Sequence, residues 1–271
     1  MTSYEAQYMN NLFDIYFDGV EEKNMRTNII TRRLPATRIT IDLEREFPIL
    51  LSKKVNWQTA IKEILWIMQK QSNVTAELDS HIWDSWTGED GTIGKSYGYQ
   101  IGQQTRGFNN QVEYILETLK KDPSSRQCVL DMWNVSELNE MNLVPCVYSS
   151  VWNIINGKLN CMLVQRSADY PVGVPFDTTE YAVLIHLFAR HLKVKPGILT
   201  HVMADSHIYN NQIDGVKKQF EQWGKICSLD KPTPKLIFKD NAPEDFWKIK
   251  LEDIDIIDYD PMPAIKYMVA V

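Results

Sequence analysis

Between Trp57 and Gln69 the apolar residues Trp57, Ala60, Ile61, Ile64, Leu65 and Met68 alternate steps of three and one. That spacing predicts an amphipathic helix, with Glu63 at the margin of the apolar face beside Trp66 and Ile67, where a carboxylate is half-buried. Farther on, Val147–Ile155 and Leu159–Gln165 are rich in strand formers and flank Asn156-Gly157, a pair suited to the positive φ values of a tight hairpin turn. Cys146 then stands at the start of a strand. From Thr178 to Leu192 the pattern is helical again, and Asp177-Thr178-Thr179-Glu180 reads as a capping box with Asp177 as N-cap. Ile198–Ala204 and Pro234–Phe238 read as further strands. The predicted fold class is α+β, one substantial sheet covered by helices.

No repeat, low-complexity tract or linker interrupts the 271 residues, and Pro and Gly are scattered as turn punctuation, so residues 1–271 read as a single domain. The net charge of −6 offers polyphosphate no general attraction; nucleic acid is not an expected partner, and a nucleotide would need local cations. The amino terminus has no basic stretch leading into an apolar one, and the apolar window from Tyr181 to Ala189 is too short to span a bilayer. No membrane association and a cytoplasmic location are expected. Cys128, Cys146, Cys161 and Cys227 form no CxxC pair, and His201 and His207 lack a supporting carboxylate pattern, so no metal is expected.

A lone cysteine after Pro145 is as a rule a packing residue, and spacing alone leaves Cys146 open between packing and nucleophile. In Gln165-Arg166-Ser167-Ala168-Asp169-Tyr170-Pro171 a cation, a hydroxyl and a carboxylate end a strand, where they could hold an anion or simply form a salt bridge. If strand pairing brings Arg166 near Cys146, the guanidinium favours the thiolate and depresses its pKa. Asp205, His207 and Tyr209 alternate onto one face of an extended segment, suiting a sugar hydroxyl, a water network or a polar strand end.

Taken together, Arg26-Thr27, FPILLSKKVNWQTAIKEILW, HIWDSW, GTIGKSYG, DPSSR, LVPC, QRSADYPVGVPFD, DSHIY and the terminal YDPMPAIKYMVAV resemble the thymidylate synthase family nearly end to end. The resemblance implies a homodimeric α+β enzyme joining C5 of a pyrimidine nucleoside monophosphate to the one-carbon unit of 5,10-methylenetetrahydrofolate. It implies that Cys146 attacks C6 of the base, with Glu63 relaying protons and Tyr97 and Asp205 supporting that network. Arg26, Arg166 and Ser167 would hold the 5′-phosphate, joined by Arg126 from the other subunit, while His207 and Tyr209 would hold the sugar hydroxyl. The folate positions would be Trp83, Trp86, Asp169, Val172, Gly173, Phe176 and the carboxy-terminal Val271.

Three departures from the family pattern bear on the substrate. Family members that methylate dUMP carry Asn where this chain has Asp177, and an ionised aspartate presents no donor to uracil O4. A carboxylate can accept from the cytosine amino group, so Asp177 points to dCMP, with dUMP the alternative. Capping gives no reason to leave Asn, since Asn and Asp cap about equally well. Members with Asp at this position are deoxycytidylate hydroxymethylases of phages, which would place the enzyme in a host cytoplasm. Gln127 replaces a second arginine, and Met203-Ala204 replaces two glycines, expected to add side chains beside the base and sugar. The leading expectation is dCMP 5-hydroxymethylation; dCMP methylation, thymidylate synthesis from dUMP and an inactive nucleotide-binding homologue are the alternatives.

Overall fold

The Asn156-Gly157 turn sets the register of the central hairpin. In the computed structural model, which describes residues 2–269, Asn156 and Gly157 have φ of 52° and 71°, the left-handed values that match the twist of a two-residue hairpin. The turn joins β4 (Val147–Ile155) to β5 (Lys158–Gln165), paired antiparallel from Ile155↔Lys158 to Val147↔Gln165. The preceding elements are α1 (Ser3–Asp18), β1 (Val20–Lys23), β2 (Ile30–Asp42), α2 (Trp57–Leu65), α3 (Gly98–Ile101), α4 (Gln111–Lys121) and β3 (Val129–Asp131). After the hairpin come β6 (Ala168–Asp169), α5 (Gly173–Leu192), β7 (Lys195–Tyr209), α6 (Ile213–Ile226), β8 (Lys235–Phe238) and β9 (Ile254–Ile257).

The large sheet runs β1-β2-β7-β5-β4-β3, with β6 also paired to β7. It is mixed: β7 lies parallel to β5 and β6 and antiparallel to β2. The crossover from β6 to β7 is α5, whose side chains are buried from Val174 to Ala189 on nearly every face. A helix apolar all round belongs inside a domain, and α5 packs against β5, β7, α2 and α4. The α+β expectation with one large covered sheet therefore holds. The strand expected at Ile198–Ala204 is longer, because β7 continues through Asp205–Tyr209; the strand near Pro234 pairs with β9 in a separate two-stranded sheet.

Two local expectations need correction. Asp177 is not an N-cap: α5 begins at Gly173, with Val172 in the cap position. Pro175 falls in the first turn, where its missing N–H leaves nothing unpaired. Asp177 and Glu180 thus lie within the helix and face its surroundings. The helix over Trp57–Gln69 is α only to Leu65, and Trp66–Lys70 widen into a π-turn, a distortion common beside functional sites.

Candidate active site

A cavity of about 290 Å³ opens where the start of α5 meets α2 and the loop leading into β4. Ile82, Trp86, Leu143, Phe176 and Val269 make one side of it apolar. Its polar wall carries four carboxyl groups, Glu63, Asp169, Asp177 and Glu180, with Cys146 among them. Tyr97, Ser167, Trp83, Val172 and Gly173 complete the expected residues that border it.

Backbone contacts hold Cys146 from both sides. Its N–H donates to Tyr97 Oη at 3.0 Å, and its carbonyl accepts the Arg166 N–H at 2.9 Å. Tyr97 itself sits at φ 44°, a conformation rare for an aromatic residue and kept only where the surroundings impose it. The Arg166 guanidinium donates to the carbonyls of Pro145 and Val144 at 2.9 and 2.7 Å and lies over the Trp133 ring. Its remaining N–H groups are available to an anion. The expected depression of the thiol pKa does not follow: burial pushes the Cys146 thiol above its ordinary range, and Arg166 pulls it down without cancelling that effect. The reason is competition between desolvation and charge.

Burial raises Glu63 too, opposed by hydrogen bonds from Glu180 and Trp83. The Trp83 indole Nε1 donates to Glu63 Oε1 at 2.8 Å. Asp177 is pushed up to about 7, first by burial and further by Glu63 and Asp169, against the hydrogen bond from Gln165. Gln165 Nε2 donates to Asp177 Oδ2 at 2.8 Å and to the Ser167 carbonyl at 3.1 Å, while Gln165 Oε1 meets His201 Nε2 at 2.7 Å. Burial lowers His201 to about 3, so the ring is neutral. The Ser167 carbonyl, which can only accept, fixes which atom of Gln165 faces Asp177. Sequence reasoning missed Gln165 and His201, whose roles appear only once β5, β7 and α5 meet.

At the other polar end Gln212 Nε2 donates to both oxygens of Asp169, at 3.1 and 2.9 Å, and to the Met268 carbonyl at 3.1 Å. The tail is held over α6 as well, by Gln222 on the Pro263 carbonyl and by Tyr267 Oη donating to Gln219. Val269 thereby reaches the cavity wall; Val271 lies outside the described residues. A Cβ at Gly215 would come within 2.5 Å of the Tyr267 ring. Gly215→Ala is expected to lift the tail, speeding tryptic cleavage at Lys266 and cutting turnover about tenfold, as small misplacements near a site do. Unchanged proteolysis and turnover would show that the tail tolerates the methyl group.

Several expected residues stand outside the cavity wall. Arg26 is exposed in the turn between β1 and β2; burial raises both Tyr209 and Cys146, and the Arg26 charge opposes that rise. His207 and Tyr209 are buried with their rings edge to face at 5.1 Å. Arg126 is exposed on this chain. Asp205 does not join the Tyr97–Glu63 group: its carboxylate pairs with Arg33 and lies 3.5 Å from His207 Nδ1. Burial opposes its ionisation, but the His207 and Arg33 bonds prevail and hold it at about 2. Met203 and Ala204 do not crowd the cavity either; Met203 is buried in the core and Ala204 is exposed on the Arg33 side. Gln127 is engaged by Arg106.

A thiol, buried carboxyl groups and an indole-lined apolar wall around one cavity make a site suited to flat, partly polar ligands. The thymidylate synthase family model matches residues 6–271. Thymidylate synthase of Clostridium beijerinckii is 42% identical over 259 residues, spanning 93% of this chain and 95% of that one. Thymidylate synthase of Bacillus phage phi3T is 36% identical over the full length of both. The solved structure of thermostable thymidylate synthase A from Bacillus subtilis superposes with a TM-score of 0.89 at 35% identity, covering 99% of each chain. The chain belongs to the thymidylate synthase family, whose enzymes are pyrimidine C5 methyltransferases using methylenetetrahydrofolate as co-substrate. The aromatic and aliphatic wall, with the Asp169 carboxyl at its end, fits such a folate: apolar faces for a flat pterin and an acceptor for its ring N–H groups. Among the described residues no helix is long and apolar enough to cross a membrane.

Proposed function

We propose that this protein transfers a one-carbon unit to C5 of dCMP and releases 5-hydroxymethyl-dCMP. The observation that carries the reading is Asp177 in the cavity wall with its carboxyl held near pH 7. Cytosine offers an amino donor at C4 and a bare nitrogen at N3. A carboxyl that holds a proton at neutral pH supplies the missing hydrogen at N3 and accepts from the amino group. Cytosine N3 is also more basic than uracil O4, so the shared proton bonds it more strongly.

Cys146 Sγ adds to C6, a new carbon–sulfur bond that raises electron density at C5. The folate supplies the carbon that C5 accepts. Glu63, half-buried and oriented by Trp83, handles the protons exchanged at the base, and elimination at the end breaks the C6–S bond and returns the thiol. Arg26, Arg166 and Ser167 bind the phosphate, joined by Arg126 across a homodimer interface; His207 and Tyr209 bind the sugar. Water completing the product adds its oxygen to the new carbon, leaving tetrahydrofolate. A second cavity of about 80 Å³ behind Glu63, Asp177 and Glu180 has space for about two water molecules, which favours hydroxymethylation over methylation.

Thymidylate synthesis from dUMP is the second reading, favoured by the names of the relatives and by the same pKa. A protonated Asp177 presents a donor to uracil O4 and an acceptor to N3–H, much as an amide would. The test is tritium release from dCMP and dUMP labelled at C5, with methylenetetrahydrofolate, while absorbance reports dihydrofolate. Faster release from dCMP without dihydrofolate is expected. Release from dUMP alone would overturn the cytosine assignment, and stoichiometric dihydrofolate would make the product methyl.

A further inference from the structure

Glu180, expected to close a helix cap, is 5% exposed and borders both the main cavity and the smaller one behind it. Glu63 from α2 and Asp177 from its own helix face it, with Tyr97 and Tyr181 nearby. Among the described residues, no lysine, arginine or histidine lines either cavity. Glu63 and Glu180 border both cavities together, near enough for each to act on the other's proton. Two buried carboxyl groups so placed do not both stay ionised; one holds a proton.

The donors decide which one. Glu63 receives Trp83 Nε1 and Asp177 receives Gln165 Nε2. Among the described residues Glu180 Oε1, fully buried, has no hydrogen-bond partner. An ionised carboxylate without donors is the form that burial penalises most, so the proton belongs on Glu180. We propose that Glu180 is a positioning residue: a neutral carboxylic acid that donates its hydrogen to Glu63 and thereby keeps Glu63 an ionised acceptor toward the nucleotide. Burial, then Glu63 and Asp177, raise Glu180 well above the ordinary carboxyl range, in agreement. Asp177 is left to hold its own proton for the base. The inference rests on the proposed role of Glu63 and is independent of which pyrimidine binds.

Two variants test it. Glu180→Gln keeps the shape and replaces the O–H donor with an N–H; Glu180→Leu removes the donor. Infrared difference spectra of the free enzyme are expected to contain a protonated-carboxyl band that persists above pH 8 and is missing from Glu180→Gln. Tritium release by Glu180→Gln, with whichever nucleotide turns over, should stay within about threefold of the parent. Glu180→Leu should lose about tenfold or more in kcat with little change in KM, and its acid limb should move to higher pH because Glu63 has lost a bond to its charged form. A carboxyl band above pH 8 that is undiminished in Glu180→Gln would overturn the proposal, as would pH profiles of both variants that coincide with the parent. Equal impairment of the two variants would do the same. The spectrum needs no turnover, so an error in the proposed reaction would not be mistaken for an error in the Glu180 assignment.

Discussion

Cys146→Ser is expected to abolish tritium release from every pyrimidine nucleotide, a loss of about three orders of magnitude or more. The serine oxygen ionises far less readily than sulfur, and it bonds poorly to the soft, electron-poor C6. The geometry around it should survive, because Cys146 is held through its backbone: its N–H on Tyr97 and its carbonyl on Arg166 involve no sulfur. Melting temperature and nucleotide affinity should therefore stay near those of the parent. Exchange by the serine variant within tenfold of the parent would refute covalent catalysis by Cys146. The thiol's raised pKa adds a pH signature, for burial keeps it protonated at neutrality. Exchange by the parent should thus require a thiolate that forms more readily toward alkaline pH.

Asp177→Asn is expected to cut dCMP turnover by about two to four orders of magnitude while dUMP turnover persists or rises. A carboxyl can carry its proton on either oxygen; an amide has one polarity. Gln165 Nε2 donates toward position 177 and is itself held by His201 and the Ser167 carbonyl. An amide there must turn its oxygen to Gln165 and cannot flip to suit the other base. Equal dCMP turnover by parent and variant would remove Asp177 from base selection. The same substitution has a stability consequence whose sign is determined. The folded pKa of Asp177, about 7, lies above its ordinary value of 3.8, so the folded state binds the proton more tightly than the unfolded chain. Stability from this group is complete below the ordinary value and is lost as pH rises through about 7. Asn does not titrate. The variant should match the parent's melting temperature more closely at pH 5 and exceed it at pH 8, and dCMP turnover by the parent should fall as pH climbs past Asp177's titration.

How far the sequence could be read depended on the range of the interactions involved. The Asn156-Gly157 hairpin and the helical face from Trp57 to Leu65 were legible because turn chemistry and periodicity act within a few residues. The cap at Asp177 was misread for the same reason: Asp-x-x-Glu is a genuine local signal, but Pro175 sits comfortably in a first turn that starts earlier. Asp205 shared the expected face with His207, yet Arg33, brought alongside by the β2–β7 pairing, claims its carboxylate. The motif set, joined end to end, was enough to identify Cys146, Glu63, Asp177 and the indoles as one group, and eleven of the expected residues do border a single cavity.

By itself the sequence determined which chemical groups the protein owns, the short elements that carry them, and the family they belong to. Only the tertiary structure decided where the protons sit. Asp177 near 7, Cys146 above its ordinary range and a neutral Glu180 all follow from α2, α5 and the loop before β4 closing around carboxyl groups with no cation in the described cavity walls. Desolvation and like-charge repulsion depend on distances between residues far apart in the chain, and those distances exist only after folding.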